Sequence, residues 1–226
     1  MKTNIPIVAF TFLLLVGCKT ETKKETPLPE KETTILEKVA NAHGFEAWKN
    51  VQELKFTFNV DRDTTHFERS WIWNTHANTI TAIGGNDTLT YNRGNMDSTA
   101  QKTNGGFIND KYWLLAPFNL VWDKDNITWK HSLEAEAPVG KKTMQKLTIV
   151  YGNEGGYTPG DAYDLYFGDD YLLKEWAYRK GNSPEISMST TWEDYVDKGG
   201  LKIATVHKND VGNFKLFFSG IEVDLK

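Results

Sequence analysis

From Val51 onward, apolar and polar residues alternate with a period of two. Leu54, Phe56, Phe58 and Val60 share one face, while Lys55, Thr57 and Asn59 share the other. Phe67, Trp71 and Trp73 repeat the pattern with Arg69 among them, and so do Ile127, Trp129, His131 and Leu133. Later runs are Leu147, Ile149 and Tyr151; Tyr163, Leu165 and Phe167; Leu172, Trp176 and Tyr178; and Ile186, Met188, Thr190 and Trp192. Shorter apolar runs lie at 80–83, 89–91 and 201–203, and two more, 214–218 and 221–225, finish the chain. Period two marks a strand with one covered and one solvated face. Gly, Asn and Asp turns such as Asp61-Arg62-Asp63 and Gly84-Gly85-Asn86-Asp87 separate the runs. The pattern predicts about ten or eleven antiparallel strands, enough for one sheet to curl into a barrel or half-barrel.

Two segments leave this rhythm. Ile35, Leu36, Val39 and Ala42 or His43 recur at helical spacing, and Thr34 with Glu37 three residues on forms a capping box. Gly44 suits the left-handed residue that ends such a helix, and His43 beside it can meet the C-terminal end of the dipole. Residues 45–50 predict a further turn or two that carries Trp48 onto the domain. The second segment, residues 104–122, holds Trp113-Leu114-Leu115 and Phe118-Leu120-Val121-Trp122 without alternation, and Pro117 breaks any long helix. It predicts a short helix and loop across the apolar face. The expected fold is therefore mainly β with a few helices: a single curved antiparallel sheet forming an open half-barrel, its concave face covered by the N-terminal helix and this short segment.

The N-terminus changes the picture. Lys2 precedes a mostly apolar run of about a dozen residues, too short for the ~20 that span a bilayer as a helix. It ends in Leu15-Val16-Gly17-Cys18, which resembles the lipobox of bacterial lipoprotein precursors. The alternative is an ordinary signal peptide that happens to contain a cysteine. Cys18 is the only cysteine, and acylation would consume a thiol otherwise odd in a secreted chain. The resemblance implies a signal peptide over 1–17 and attachment to a membrane through acyl chains on Cys18. Residues 19–32, KTETKKETPLPEKE, are too polar to offset their ordering entropy and predict a disordered tether, leaving 33–226 as a single domain. Lys19 follows the cysteine where an Asp would signal inner-membrane retention, so the envelope face expected is the outer membrane, with its periplasmic or outer side open.

Composition narrows the function. The net charge of −4, with both signs scattered, argues against nucleic acid as a partner. His43, His66, His76, His131 and His207 include no helical i, i+4 pair and no HExxH. His131 alternates with Trp129 and Leu133 and reads as a core histidine. Asp123-Lys124-Asp125 with Glu134 imitates part of a calcium loop, but Thr128 stands where the sharp turn needs glycine. The glycine-rich stretch 152–160 is followed by a strand rather than a helix, so it reads as a hairpin loop and not a phosphate cradle. No GxSxG elbow occurs. Adjacent carboxylates such as Glu193-Asp194 point to opposite faces of a strand. The chain therefore reads as no enzyme, with no metal and no cofactor.

Several segments together are similar to a family of lipoproteins from Bacteroidota. They are Ala42-His43-Gly44 with Trp48, Tyr112-Trp113-Leu114-Leu115-Ala116-Pro117-Phe118, Gly156-Tyr157-Thr158-Pro159-Gly160-Asp161, and Trp192-Glu193-Asp194-Tyr195 before Gly199-Gly200. That family brings no activity with it. Its architecture resembles the LolA and LolB lipoprotein carriers, whose open half-barrel holds acyl chains in an apolar concavity.

The chain carries eight Trp, nine Tyr and twelve Phe, enough either to line such a cavity or to fill a core. On the first reading Phe56, Phe58, Trp71, Trp73, Trp129 and Trp176 line a cavity for a lipid or other apolar ligand, with Trp113 and Phe118 in a lid. On the second the aromatic face is packed solid, and the protein is a structural or assembly lipoprotein that binds an envelope protein partner.

Overall fold

The structure, a computed structural model, describes residues 33–154 and 158–226. Cys18, the signal-peptide region and the tether lie outside the described residues, as do positions 155–157 of the glycine-rich loop. The described residues belong to one compact unit, Thr33–Lys226.

Helix α1, Ile35–Ala42, starts at the expected capping box. Thr34 Oγ1 accepts from the Glu37 amide at 3.3 Å, and Glu37 Oε2 accepts from the Thr34 amide at 2.8 Å. Gly44 then takes the left-handed conformation, φ 87°, and a Cβ there would fall 1.9 Å from the Gly200 carbonyl oxygen. Only glycine fits that approach. A 3₁₀ turn, Phe45–Asn50, sets the Trp48 ring 5.1 Å from Trp73 and 5.2 Å from Trp122.

Among the described residues, twelve antiparallel strands follow in two sheets. They are β1 (Val51–Arg62), β2 (Thr65–Asn74), β3 (Thr79–Gly84), β4 (Asp87–Asn92), β5 (Ile127–Glu136), β6 (Thr143–Tyr151), β7 (Ala162–Phe167), β8 (Leu173–Arg179), β9 (Met188–Thr191), β10 (Glu193–Lys198), β11 (Leu201–Lys208) and β12 (Phe214–Leu225). The first sheet has the order β10-β11-β12-β1-β2-β3-β4 and the second β5-β6-β7-β8-β9. The protein is mainly β, and its antiparallel sheets do not close into a barrel, since β4 and β5 are edges that do not pair with each other.

The single continuous sheet of the sequence reading is divided at Trp192. Thr191 still pairs with Glu175 of β8, whereas Glu193 pairs with Val206 of β11. Asp194 takes a left-handed φ of 54°, so the chain turns a corner there. Side-chain bonds cross the junction: His207 Nδ1 to the Thr191 carbonyl at 3.1 Å, and the Lys208 amide to Thr191 Oγ1 at 3.1 Å.

Helix α2, Ser98–Trp122, follows β4 and precedes β5 in the chain. It is longer than the short helix and loop expected. Asp97 caps it by accepting from the Ala100 amide at 2.8 Å, and the helix runs through Gly105-Gly106. Pro117 does not end it. The backbone bends at Leu115 (φ −129°, ψ 26°), next to the turn whose carbonyl the proline ring would strike. Asp110 pins the helix to the first sheet. It accepts from Arg69 Nε at 2.5 Å, Arg69 Nη2 at 2.6 Å and Trp71 Nε1 at 2.8 Å. Gly106 admits this pin, because a Cβ there would meet Arg69 Nη1 at 2.8 Å.

A second departure concerns β7, where all six residues are buried. Its convex face is not solvated as the alternation implied. The β5–β6 turn folds over it, so Tyr166 and Ala177 pack with Ala137. Glu175 accepts there from the amides of Val139 at 2.7 Å and Gly140 at 2.8 Å, and Asp164 pairs with Arg179 Nε at 2.9 Å. A buried carboxylate is tolerated when such donors satisfy it. No helix among the described residues is long and apolar enough to cross a membrane.

Candidate functional site

The concave space holds two apolar clusters, and α2 contributes to both. Under β1–β3 the packing is dense. Phe107 of α2 lies 5.5 Å from Trp71 and 5.4 Å from Trp73, and Phe118 lies edge-on to Phe45 at 5.4 Å. Phe56, Trp71, Trp73 and Phe118, expected around the ligand cavity or in its lid, instead fill this core.

Between the helix and the five-stranded sheet the packing opens into a cavity of about 710 Å³. Phe58, Val60 and Phe214 contribute from the first sheet. Tyr151, Tyr163, Trp176 and Tyr178 contribute from the second, and Lys111, Tyr112 and Trp113 from α2. Of the eight aromatic residues proposed from sequence, Phe58, Trp113 and Trp176 meet here. The wall is continuous: Trp113 to Trp176 at 4.4 Å, Tyr112 to Tyr163 at 4.9 Å, Tyr163 to Trp176 at 5.3 Å.

Trp129 lies on the expected face of its strand, paired with Ile149, which is buried. Yet β5 is an edge strand, and Trp129 is 48% exposed and Leu133 73% exposed. The pleat was legible and the missing cover was not. His131, on the same strand, stacks on Phe167 with ring centroids 6.0 Å apart and bonds Gln145 Oε1 at 3.0 Å.

Polar groups concentrate where α2 ends. Tyr151 OH donates to Asp123 Oδ2 at 3.0 Å, and Asn119 Nδ2 donates to the same oxygen at 2.7 Å. Lys111 Nζ donates to Asn119 Oδ1 at 3.3 Å and sits 4.7 Å from the centre of the Trp122 ring. Burial drives the Lys111 ammonium down to about 8. Burial also raises the tyrosines: Tyr178 to about 12, and Tyr112, Tyr151 and Tyr163 well above the ordinary phenol value. Their hydroxyls remain protonated donors at neutral pH. No three His, Cys, Asp or Glu side chains among the described residues converge on a metal position.

The sequence reading missed Lys111 and the tyrosines. Signals existed for both. Tyr151 and Tyr163 sit in the apolar phase of their strands, where a hydroxyl marks a wall that is partly wet. Lys111 falls on the helical stripe shared by Phe107, Leu114 and Phe118, a place where a cation is out of pattern.

The two histidines nearest the sheet junction are structural. His43 does cap α1, but as a neutral ring. Its Nδ1 donates to the Val39 carbonyl at 2.8 Å, and burial lowers it to about 4. His207 is fully buried and lowered to about 3 by that burial.

No known protein-family profile matches the chain, and no curated protein matches it in sequence. Among solved structures it is similar to a DUF1329 family protein from Desulfovibrio piger, at 10% identity and TM-score 0.47, over 85% of this chain and 94% of that one. It is also similar to a LolA superfamily protein from Nitrosomonas europaea, at 10% identity and TM-score 0.48, over 85% and 93% respectively. A third is an outer membrane lipoprotein-sorting protein domain from Vibrio parahaemolyticus, at 8% identity and TM-score 0.44, over 84% and 93%. These are distant likenesses of architecture and assign no function.

Proposed function

We propose that this chain is an envelope lipoprotein, anchored at the outer membrane through acyl chains on Cys18, that binds a lipid or other apolar ligand between its helix α2 and its five-stranded sheet. One observation carries the reading: an aromatic-walled cavity of about 710 Å³ inside an open β scaffold. That volume lies within the ~300–1,000 Å³ of small-molecule sites, which are concave and mostly apolar with a few polar groups that orient the ligand. Burial of a chain against such walls gains ~0.8 kcal/mol per methylene. The site holds, desolvates and releases a ligand; its protonated tyrosines and its paired Asp123 are positioned to orient one, not to attack it.

The test is direct. The full chain carrying Cys18→Ser, which removes the acylated thiol, is purified, extracted with organic solvent and analysed by mass spectrometry. Co-purified lipid at near-stoichiometric yield supports the reading. A clean extract together with no uptake of labelled palmitate rejects it.

A second reading has one observation in its favour. Trp129 and Leu133 stand uncovered on the edge strand β5, and an unpaired edge with exposed apolar side chains is a surface for another protein. On that reading the protein is an assembly lipoprotein. Photocrosslinking from position 129 in intact cells that captures one envelope protein, with a clean lipid extract, would favour it over ligand binding.

A further inference from the structure

We propose that the ligand is an anionic amphiphile: its acid headgroup binds Lys111 beside Arg93, and its aliphatic chain runs along the aromatic wall. This rests on the ligand-binding reading and adds the chemical class of what is bound.

Lys111 is only 8% exposed, yet it lines the cavity. An ammonium has three N–H donors. One goes to Asn119 Oδ1 at 3.3 Å, and the Trp122 ring shields a second side. No carboxylate among the described residues forms an ion pair with it. The carboxylate nearest in effect, Asp123, already accepts from Asn119 and Tyr151 through one oxygen. A buried cation without a paired anion is costly, and the ordinary remedy is a counter-charge brought to it.

The surroundings make that counter-charge a ligand's. Arg93 also lines the cavity, and its field opposes the charge on Lys111. Among the described residues, the Arg93 guanidinium bonds amide oxygens, Asn104 Oδ1 at 3.2 Å and Asn78 Oδ1 at 3.5 Å, and lies over the Phe107 ring at 5.6 Å. A third cation of the wall, Arg62, rests over Phe214 at 5.5 Å. Among the described residues, three cations thus line the cavity against the carboxylate of Asp123. A neutral apolar ligand leaves that imbalance untouched. A carboxylate or phosphate oxygen placed at Lys111 removes it and takes up the spare donors as charge-assisted hydrogen bonds.

Fatty carboxylates and lysophospholipid phosphates share this chemistry, so the experiment separates them. Equilibrium dialysis of the full Cys18→Ser chain uses radiolabelled palmitate, lysophosphatidate and hexadecanol. The alcohol keeps the chain and removes the charge. We expect at least one acid to bind about tenfold or more tighter than hexadecanol, and the tighter acid names the source. Lys111→Met keeps the length of the side chain without the charge, and should bring acid and alcohol to within a fewfold of each other. If hexadecanol binds the native chain as well as both acids, or Lys111→Met keeps the acid preference, the headgroup proposal is wrong while the cavity reading stands. If none of the three binds, the cavity reading itself fails. Circular dichroism checks that Lys111→Met is folded; where it is not, Arg93→Gln carries the test, and an unchanged acid-to-alcohol ratio in that variant overturns the proposal.

Discussion

The two halves of the concave face come from the same alternating pattern and end differently. Under the seven-stranded sheet, α2 delivers Phe107, Leu114 and Phe118 into a close-packed aromatic core, and Asp110 locks the helix down through Arg69 and Trp71. Under the five-stranded sheet, the same helix delivers Lys111, Tyr112 and Trp113, and the rings stand around open space. Among the described residues, Trp176 Nε1 and Thr190 Oγ1 on the second sheet and Trp192 Nε1 at the junction are buried without a partner, against Trp73 Nε1 and His207 Nε2 on the first. Each such atom costs about 1–3 kcal/mol. The first half is closely packed around the Asp110 pin; the second leaves open space beside its aromatic wall.

The largest effect should come from breaking the pin. Asp110→Ala leaves the Arg69 guanidinium beside a helix with no anion and strips the Trp71 indole of its acceptor, so we expect a loss of about 3–5 kcal/mol in urea denaturation. A loss below about 1 kcal/mol would mean that the first half is not locked by this contact.

Acid should act on the junction and the second half. His43 and His207 are neutral in the folded chain because burial lowers them to about 4 and about 3 from an ordinary 6.5. Below pH 6.5 the unfolded chain takes up protons that the folded chain refuses, so stability falls as the pH drops from 6.5 toward those values. Asp170, Lys174 and Lys202 also act on His43, and their opposing signs leave burial dominant. His207→Leu should flatten the slope of stability between pH 6.5 and 4 by roughly half. An unchanged slope would show that His207 does not titrate in this way.

Packing probes sharpen the contrast further. Ala100 is buried in the filled half, so Ala100→Phe should overpack it and cost about 1–3 kcal/mol. Val60 lines the cavity, so Val60→Phe should cost less than about 1 kcal/mol while weakening palmitate binding severalfold. Equal thermal shifts for the two variants would contradict the division into a filled and an open half. The smallest effect belongs to Trp129→Ala. Its exposed position predicts a stability change of about 0.5 kcal/mol or less and no change in ligand binding.

What was legible in the sequence follows the range of the forces involved. The capping box at Thr34, the turn at Gly44 and the strand faces are set by residues within a few positions of one another, and they were readable. Coverage was not. Trp129 has the right phase, but nothing local says that its strand is an edge. The β7 strand reads as half-solvated, yet a turn from another hairpin covers its outer face. Gly105-Gly106 hid the first half of α2, since two glycines argue against a helix until Arg69 is seen to need the room. The division of the sheet at Trp192 follows from pairing partners far apart in the chain. Phe58 and Trp176 read as cavity residues because they are aromatic and on the covered face, and Trp113 reads as part of a lid; Lys111 was passed over although its place on an apolar helical stripe was visible.

The central claim is that the proposed ligand occupies the cavity between α2 and the five-stranded sheet and does not enter the core around Trp71 and Trp73. Tryptophan quenching by bromine-labelled stearate tests it most directly, because the quencher acts only at contact and the two halves carry different indoles. Single Trp→Phe variants assign the signal. The account predicts quenching of Trp113 and Trp176 with little loss from Trp71 and Trp73. Quenching confined to Trp71 and Trp73, or no quenching at saturating ligand, would contradict it.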